Sequence, residues 1–152
     1  NEYPQGKFEV LHTTQLLAKK VEEGKLSLSR EVKKVVTYHD PCFLGKQNSI
    51  FDEPRMLLNA IPGITFKELD RSRERSLCCE GGGGRMWVES SSEAAERLAE
   101  TRVKDAAELG AEIIATACHL CVLTLEDAVK TSGHEEKIRV MDVAELLAEA
   151  GE

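Results

Sequence analysis

The chain has 152 residues, 41% of them apolar and 31% charged, with a formal net charge of -7. That balance suits one globular domain with its own core, and the acidic excess argues against a nucleic-acid partner. No apolar run nears the roughly 18 residues of a membrane span, so no direct span is expected, and a chain opening at Asn1 reads as a piece of something longer.

In chain order, Phe8-Glu-Val-Leu-His-Thr-Thr-Gln-Leu-Leu-Ala18 aligns without gaps to Ile138-Arg-Val-Met-Asp-Val-Ala-Glu-Leu-Leu-Ala148. Both read as a short strand running into an amphipathic helix. A generic strand-to-helix junction gives the same pattern; an internal repeat is the sharper reading. On that reading residues 1–28 are the tail of an upstream copy and residues 29–152 the domain proper, with Lys19 to Arg30 as the connection. Lys34 to His39 is β-branched and aromatic, a strand stopped by Asp40-Pro41. Pro54 to Ala60 is a short helix, and Ile64 to Leu69 alternates like a half-buried strand. Cys78-Cys79-Glu80, followed by Gly81 to Gly84, is a loop. Glu93 to Leu109 is a helix ended by Gly110. Glu112 to Ala117, Val122 to Lys130, Lys137 to Met141 and Val143 to Ala150 then read as strand, helix, strand and helix. The alternation predicts an α/β fold: a parallel sheet of about four to five strands with helices on both faces and cysteines at the carboxyl ends of strands.

Five cysteines fall in the pattern C-x35-C-C-x38-C-x2-C, from Cys42 to Cys121. The count is odd and two are adjacent, which fits reduced thiols better than a disulfide scaffold. Carboxyl ends of parallel strands border one crevice, so Cys42, Cys78, Cys79, Cys118 and Cys121 are expected to converge there on a metal. Helix amino termini at such an edge stabilise thiolates. Gly81, Gly82, Gly83 and Gly84 would let backbone N–H groups approach a cofactor, and Arg85 would offset its charge; Gly82→Val is expected to disturb this cradle. His39, three residues before Cys42, suits a hydrogen-bonding or proton-delivering role beside the cofactor, and Trp87 would shield the loop.

Other readings of these residues remain. The glycines lack the Gly-Lys-Ser/Thr ending of a phosphate loop, and a flexible linker would not need adjacent cysteines. Zinc needs four nitrogen or sulfur ligands, so one zinc would leave a cysteine idle, whereas an iron–sulfur cluster can use all five. A cysteine nucleophile beside His39 does not call for five thiols. The basic residues between Glu68 and Arg75 read as a solvated connection or a docking patch for an acidic redox partner.

His39-Asp-Pro-Cys42-Phe-Leu-Gly45, Cys78-Cys79-Glu-Gly-Gly-Gly-Gly-Arg-Met-Trp87 and Ala115-Thr-Ala-Cys118-His-Leu-Cys121 together resemble the cysteine-rich CCG domain. That domain is known from heterodisulfide reductase B and D subunits and from iron–sulfur oxidoreductases, including those thought to link electron-transfer flavoprotein to menaquinone. The resemblance covers residues 35 to about 147. It implies an iron–sulfur cluster (4Fe-4S, in some relatives non-cubane) on Cys42, Cys78, Cys79, Cys118 and Cys121. It also implies an electron-transfer role within a larger oxidoreductase, so that the isolated domain is an incomplete enzyme. Implied partners are a flavoprotein donor and a quinone-side membrane subunit, with a cytoplasmic location and membrane association only through the rest of the protein. Some relatives hold zinc in one copy, which keeps a zinc-stabilised structural or interaction domain as the alternative. Glu80 stands where the family motif has Gly, adding a negative charge beside the site.

Overall fold

A computed structural model of the chain describes residues 8–82 and 97–151. Four strands, β1 (Val35–Tyr38), β2 (Thr65–Phe66), β3 (Ile113–Thr116) and β4 (Arg139–Asp142), pair in parallel in the order β2-β1-β3-β4. Register runs Val36 to Phe66, Val36 to Ile113 and Ile114 to Val140. Among the described residues five α-helices accompany them: α1 (Thr13–Glu22), α2 (Asp52–Ala60), α3 (Leu98–Glu108), α4 (His119–Thr131) and α5 (Val143–Ala150). No helix among the described residues is long and apolar enough to cross a membrane.

Period-two alternation sends successive strand side chains to opposite faces, and the two cores follow from it. Val36, Tyr38, Ile113, Ala115 and Met141 pack with Leu57 and Leu58 of α2, Leu146 and Leu147 of α5, and Ala18 of α1. Ile114 and Val140 pack on the other face with Ala99 and Val103 of α3 and Leu125 and Val129 of α4. The result is the expected α/β architecture with helices on both faces. After β2 the chain crosses back past β1 to β3, and α2 and α3 lie on opposite faces. The neighbouring ends of β1 and β3 are therefore a topological switch point, where open α/β sheets form a crevice.

The aligned segments match in part. His12 caps α1 by accepting from Thr14 N at 3.2 Å while Gln15 Oε1 accepts from His12 N at 3.1 Å. Asp142 and Glu145 make the corresponding pair of bonds at α5, both 2.8 Å, so both helices open on a capping box. The strand halves differ: residues 8–12 have no strand partner among the described residues, and Phe8 and Val10 are exposed where Ile138 and Val140 are buried. The helix also runs through Lys19 to Glu22, so the connection to the domain begins later than the polar sequence suggests.

Candidate metal centre

Each cysteine segment is held by a different local device. Beyond β1, His39 N donates to Ala115 O at 2.8 Å, extending the ladder one residue before the chain turns at Asp40-Pro41. Cys42 then opens a π-helical turn, Phe43–Gln47. Phe51 folds over that turn so closely that a Cβ at Gly45 would lie 2.6 Å from the ring's Cε1. Cys118 follows β3 as the N-cap of α4, with Cys121 in the helix's first turn. The Cys78-Cys79 loop is separated from β2 by residues 67–77, which include a short 3-10 turn, Arg73–Arg75. Glu80 adopts φ 65°, in the left-handed region that favours glycine.

Cys79 Sγ and Cys121 Sγ lie 3.1 Å apart, and ligand atoms of His39, Cys79 and Cys121 all fall within 4.8 Å of one another. Backbone N–H groups of Glu80 and Gly81 donate to Cys78 Sγ and Cys79 Sγ at 3.3 and 3.4 Å. Cys42, Cys79, Cys118 and Cys121 line one cavity of about 700 Å³, whose apolar rim includes Val10, Phe43, Leu44, Ile50 and Leu120. His12 and His119, which the sequence pattern leaves without a firm role, also line it. Cys78 is not a lining residue, but its thiol lies within electrostatic reach of Cys79 and Cys42. Cys79 and Cys121 are buried, Cys118 half-buried, and Cys42 and Cys78 exposed.

Three close thiols cannot all ionise, so one keeps a proton and serves the others. Hydrogen bonds to Cys118 and Cys79 hold the Cys121 thiol well above its ordinary range. The hydrogen bond from Cys121 lowers Cys79, helped by His39 and the Gly81 N–H against the opposing effect of burial. Cys118, bonded to the same thiol, falls to about 5. Burial pushes Cys78 up. Two thiolates sharing one proton are a donor set that a soft cation can occupy by displacing it.

Several residues of the site carry no signal in the sequence. Asp40, which reads there as a strand stop, is buried and accepts from Arg55 Nη1 and Nη2 at 2.7 and 2.8 Å. Arg55, in a helix whose pattern leaves its partner unknown, also donates to Glu68 at 2.7 and 2.8 Å. Thr124 packs one turn beyond Cys121, and its side chain meets the site of a Cβ on Gly81 at 3.1 Å.

The basic residues before Cys78 have acidic neighbours: Arg71 pairs with Asp105, Arg73 with Asp52 and Arg75 with Asp70. Among the described residues, crowding in the glycine run falls on Gly81 and not on Gly82, where an added Cβ meets none of them within 4 Å. Gly83, Gly84, Arg85 and Trp87 lie outside the described residues.

The profile of the CCG cysteine-rich domain matches residues 36–126. The EtfAB:quinone oxidoreductase of Syntrophomonas wolfei is 42% identical over 159 aligned residues, covering all of this chain and 22% of that protein. The probable iron–sulfur-binding oxidoreductase FadF of Bacillus subtilis is 40% identical, covering 99% of this chain and 21% of FadF. A component of the dihydromethanophenazine:CoB–CoM heterodisulfide reductase of Methanosarcina barkeri is 41% identical, covering 94% of this chain and 34% of that component. The chain thus spans between about a fifth and a third of the length of these relatives. No solved structure matches it. With its profile match spanning β1 through the first half of α4 and all five cysteines inside that span, the chain belongs to the CCG cysteine-rich domain family.

Proposed function

We propose that this chain is an iron–sulfur cluster-binding, electron-transfer domain of a larger oxidoreductase, with Cys42, Cys78, Cys79, Cys118 and Cys121 as the cluster ligands. The observation that carries this reading is the cavity of about 700 Å³ lined by Cys42, Cys79, Cys118 and Cys121, with the Cys78 thiol within electrostatic reach of Cys79 and Cys42. The residues suit the group. Sulfur donors prefer iron–sulfur clusters over hard cations, and Gly81 lets the Cys79 loop approach α4 as no other residue would. A bound cluster would supply one-electron transfer. The protein's own contribution is to hold the thiolates, direct the Glu80 and Gly81 N–H groups at sulfur, and limit water with the apolar rim; these set a cluster's potential.

Five thiolates favour a 4Fe-4S species that departs from the cubane, since a cubane uses four. Donor and acceptor follow from the relatives' names: a flavoprotein on one side and a quinone or disulfide on the other, carried by other domains or subunits. Residues 1–28 are then the tail of an upstream copy, a reading supported by the matched capping boxes of α1 and α5. Anaerobically purified protein should be brown and carry roughly four irons with matching sulfide, with a paramagnetic signal on oxidation or reduction. Colourless protein after anaerobic reconstitution would overturn the proposal.

A second reading is favoured by one observation. His39, Cys79 and Cys121 cluster within 4.8 Å, and with Cys118 they make a Cys₃His set suited to structural zinc. Under it, stoichiometric zinc persists after anaerobic purification and Cys42→Ser leaves the metal content unchanged.

A further inference from the structure

We infer that Asp40, Arg55 and Glu68 form a clamp that holds the Cys42 segment against the segment leading to Cys78, which makes Arg55 a positioning residue for the metal centre. The inference rests on the reading of these cysteines as ligands. Asp40 lies two residues before Cys42, and both its carboxylate and its backbone carbonyl make bridging bonds. Its carboxylate takes both Nη groups of Arg55 and also Arg73 N, at 2.8 Å. Its carbonyl accepts from Ser76 Oγ at 3.3 Å, two residues before Cys78. The bonds from Arg73 and Ser76 therefore tie one cysteine segment directly to the other, and Arg55 fixes the carboxylate in the orientation they require.

Arg55 is engaged on all sides. It binds Asp40 in fork geometry, binds Glu68 through Nε and Nη2, and donates through Nη1 to Phe51 O at 2.7 Å. Its guanidinium also lies 5.1 Å from the centroid of the Tyr38 ring. Phe51 is the residue that covers Gly45 in the turn after Cys42, so the same guanidinium reaches the Cys42 segment from both ends. Arg102, fully buried on α3, lies within electrostatic reach of Asp40 and Glu68 and brings the group of four charges toward neutrality. A purely structural role in anchoring α2 would not need this, because Leu57 and Leu58 already bury that helix in the core. Arg73 holds φ 54° while its N–H meets Asp40; non-glycine residues keep that conformation only where their surroundings impose it.

The test compares Arg55→Met, Arg55→Lys and Ser76→Ala with the unaltered chain. In metal-free, reduced protein a short bis-alkylating reagent bridges neighbouring thiols, and peptide mass mapping separates the Cys42–Cys78 bridge from the Cys79–Cys121 bridge. Arg55→Met should slow the Cys42–Cys78 bridge roughly tenfold, the scale on which small misplacements act, with the Cys79–Cys121 bridge unchanged. Lysine restores the charge but not the double fork, so Arg55→Lys should fall between. Ser76→Ala, which removes one tie and should leave the fold intact, should slow the same bridge about threefold by the same reasoning. Equal slowing of both bridges, or no slowing of the first in Arg55→Lys and Ser76→Ala, overturns the clamp; those two variants decide the matter if Arg55→Met does not fold. With iron reconstituted anaerobically, Arg55→Met should also alter the paramagnetic spectrum and shift the midpoint potential. Absence of iron uptake by the unaltered chain would instead overturn the cluster reading, and the bridging rates would still decide the clamp.

Discussion

A Cβ on Gly81 would stand 2.9 Å from the carbonyl oxygen of Leu120, so the Cys79 loop touches the first turn of α4 at a point where only glycine fits. Leu120 lies between Cys118 and Cys121, and this contact is what brings the second cysteine segment onto the third. Because the obstructing atom is backbone, it cannot swing aside. Gly81→Ala should cost about 1–3 kcal/mol, as overpacking does, and lower metal occupancy. Gly82→Ala, whose Cβ meets none of the described residues within 4 Å, should do neither. Thermal unfolding together with metal content of the two variants checks the difference.

Glu80 is subject to two opposed effects. Its φ of 65° strains any residue with a Cβ, yet its carboxylate accepts from Ala99 N at 3.4 Å at the start of α3, with Arg97 Nε 4.0 Å away. The negative charge that the sequence places beside the cysteines is thus directed at a helix amino terminus, where it is favourable. Glu80→Gly should be nearly neutral, relief of about 1 kcal/mol of strain offsetting a lost cap of similar size. Glu80→Ala keeps the strain and loses the cap, and should cost about 1–2 kcal/mol. Chemical denaturation of both variants tests the order; an alanine variant as stable as the glycine variant would refute it.

Tyr38 is buried beneath Arg55, and its hydroxyl has no hydrogen-bond partner among the described residues. Burial, with Asp40 adding to it, raises its ionisation far above the ordinary value. The folded chain then keeps the proton where the unfolded chain releases it. The contribution of Tyr38 to stability is therefore complete below about pH 10, the unfolded value, and declines as pH rises beyond it. Tyr38→Phe should remove that contribution and make the alkaline decline shallower. It should also stabilise the chain at neutral pH by about 1 kcal/mol, because it removes an unpaired buried hydroxyl. Unfolding measured at pH 7 and pH 10.5 distinguishes these outcomes.

The sheet was legible because Val35, Val36, Ile113, Ile114 and Val140 are β-branched runs of strand length, and their order with the helices left little choice of topology. Less legible were elements whose limits are set by partners distant in sequence. Ile64 to Leu69 alternates like one strand, but pairing stops at Phe66, and Glu68 beyond it turns to Arg55. The start of α4 at His119 was hidden because its N-cap, Cys118, makes no side-chain cap bond and so carries none of the usual start signals. Residues 8–12 carry a strand's composition without a strand's neighbour among the described residues. Within the site, the cysteines announced themselves by type and spacing. Asp40 and Arg55 are common residues whose meaning lies in a contact across 15 positions, which no local pattern encodes.

Ionisation and exposure rank two of the thiols in opposite orders, which gives a test in the metal-free chain. Cys78 is exposed but its thiol is raised, whereas Cys118 is half-buried and lowered to about 5 by its bond from Cys121. At pH 6 Cys118 is mostly thiolate, while a thiol at or above about 8.5 is less than roughly one per cent ionised. Low-pKa thiolates are intrinsically less nucleophilic, but only in part. Iodoacetamide should therefore modify Cys118 before Cys78 at pH 6, and the gap should narrow as the pH is raised and the Cys78 thiol begins to ionise. In Cys121→Ser the shared thiol proton is gone, so Cys118 should return toward an ordinary thiol and its labelling at pH 6 should slow by about tenfold or more. Mass spectrometry of partially labelled protein reads each rate. Faster labelling of Cys78 at pH 6 would mean that access alone governs the site, and the sharing of one proton by Cys79, Cys118 and Cys121 would have to be abandoned.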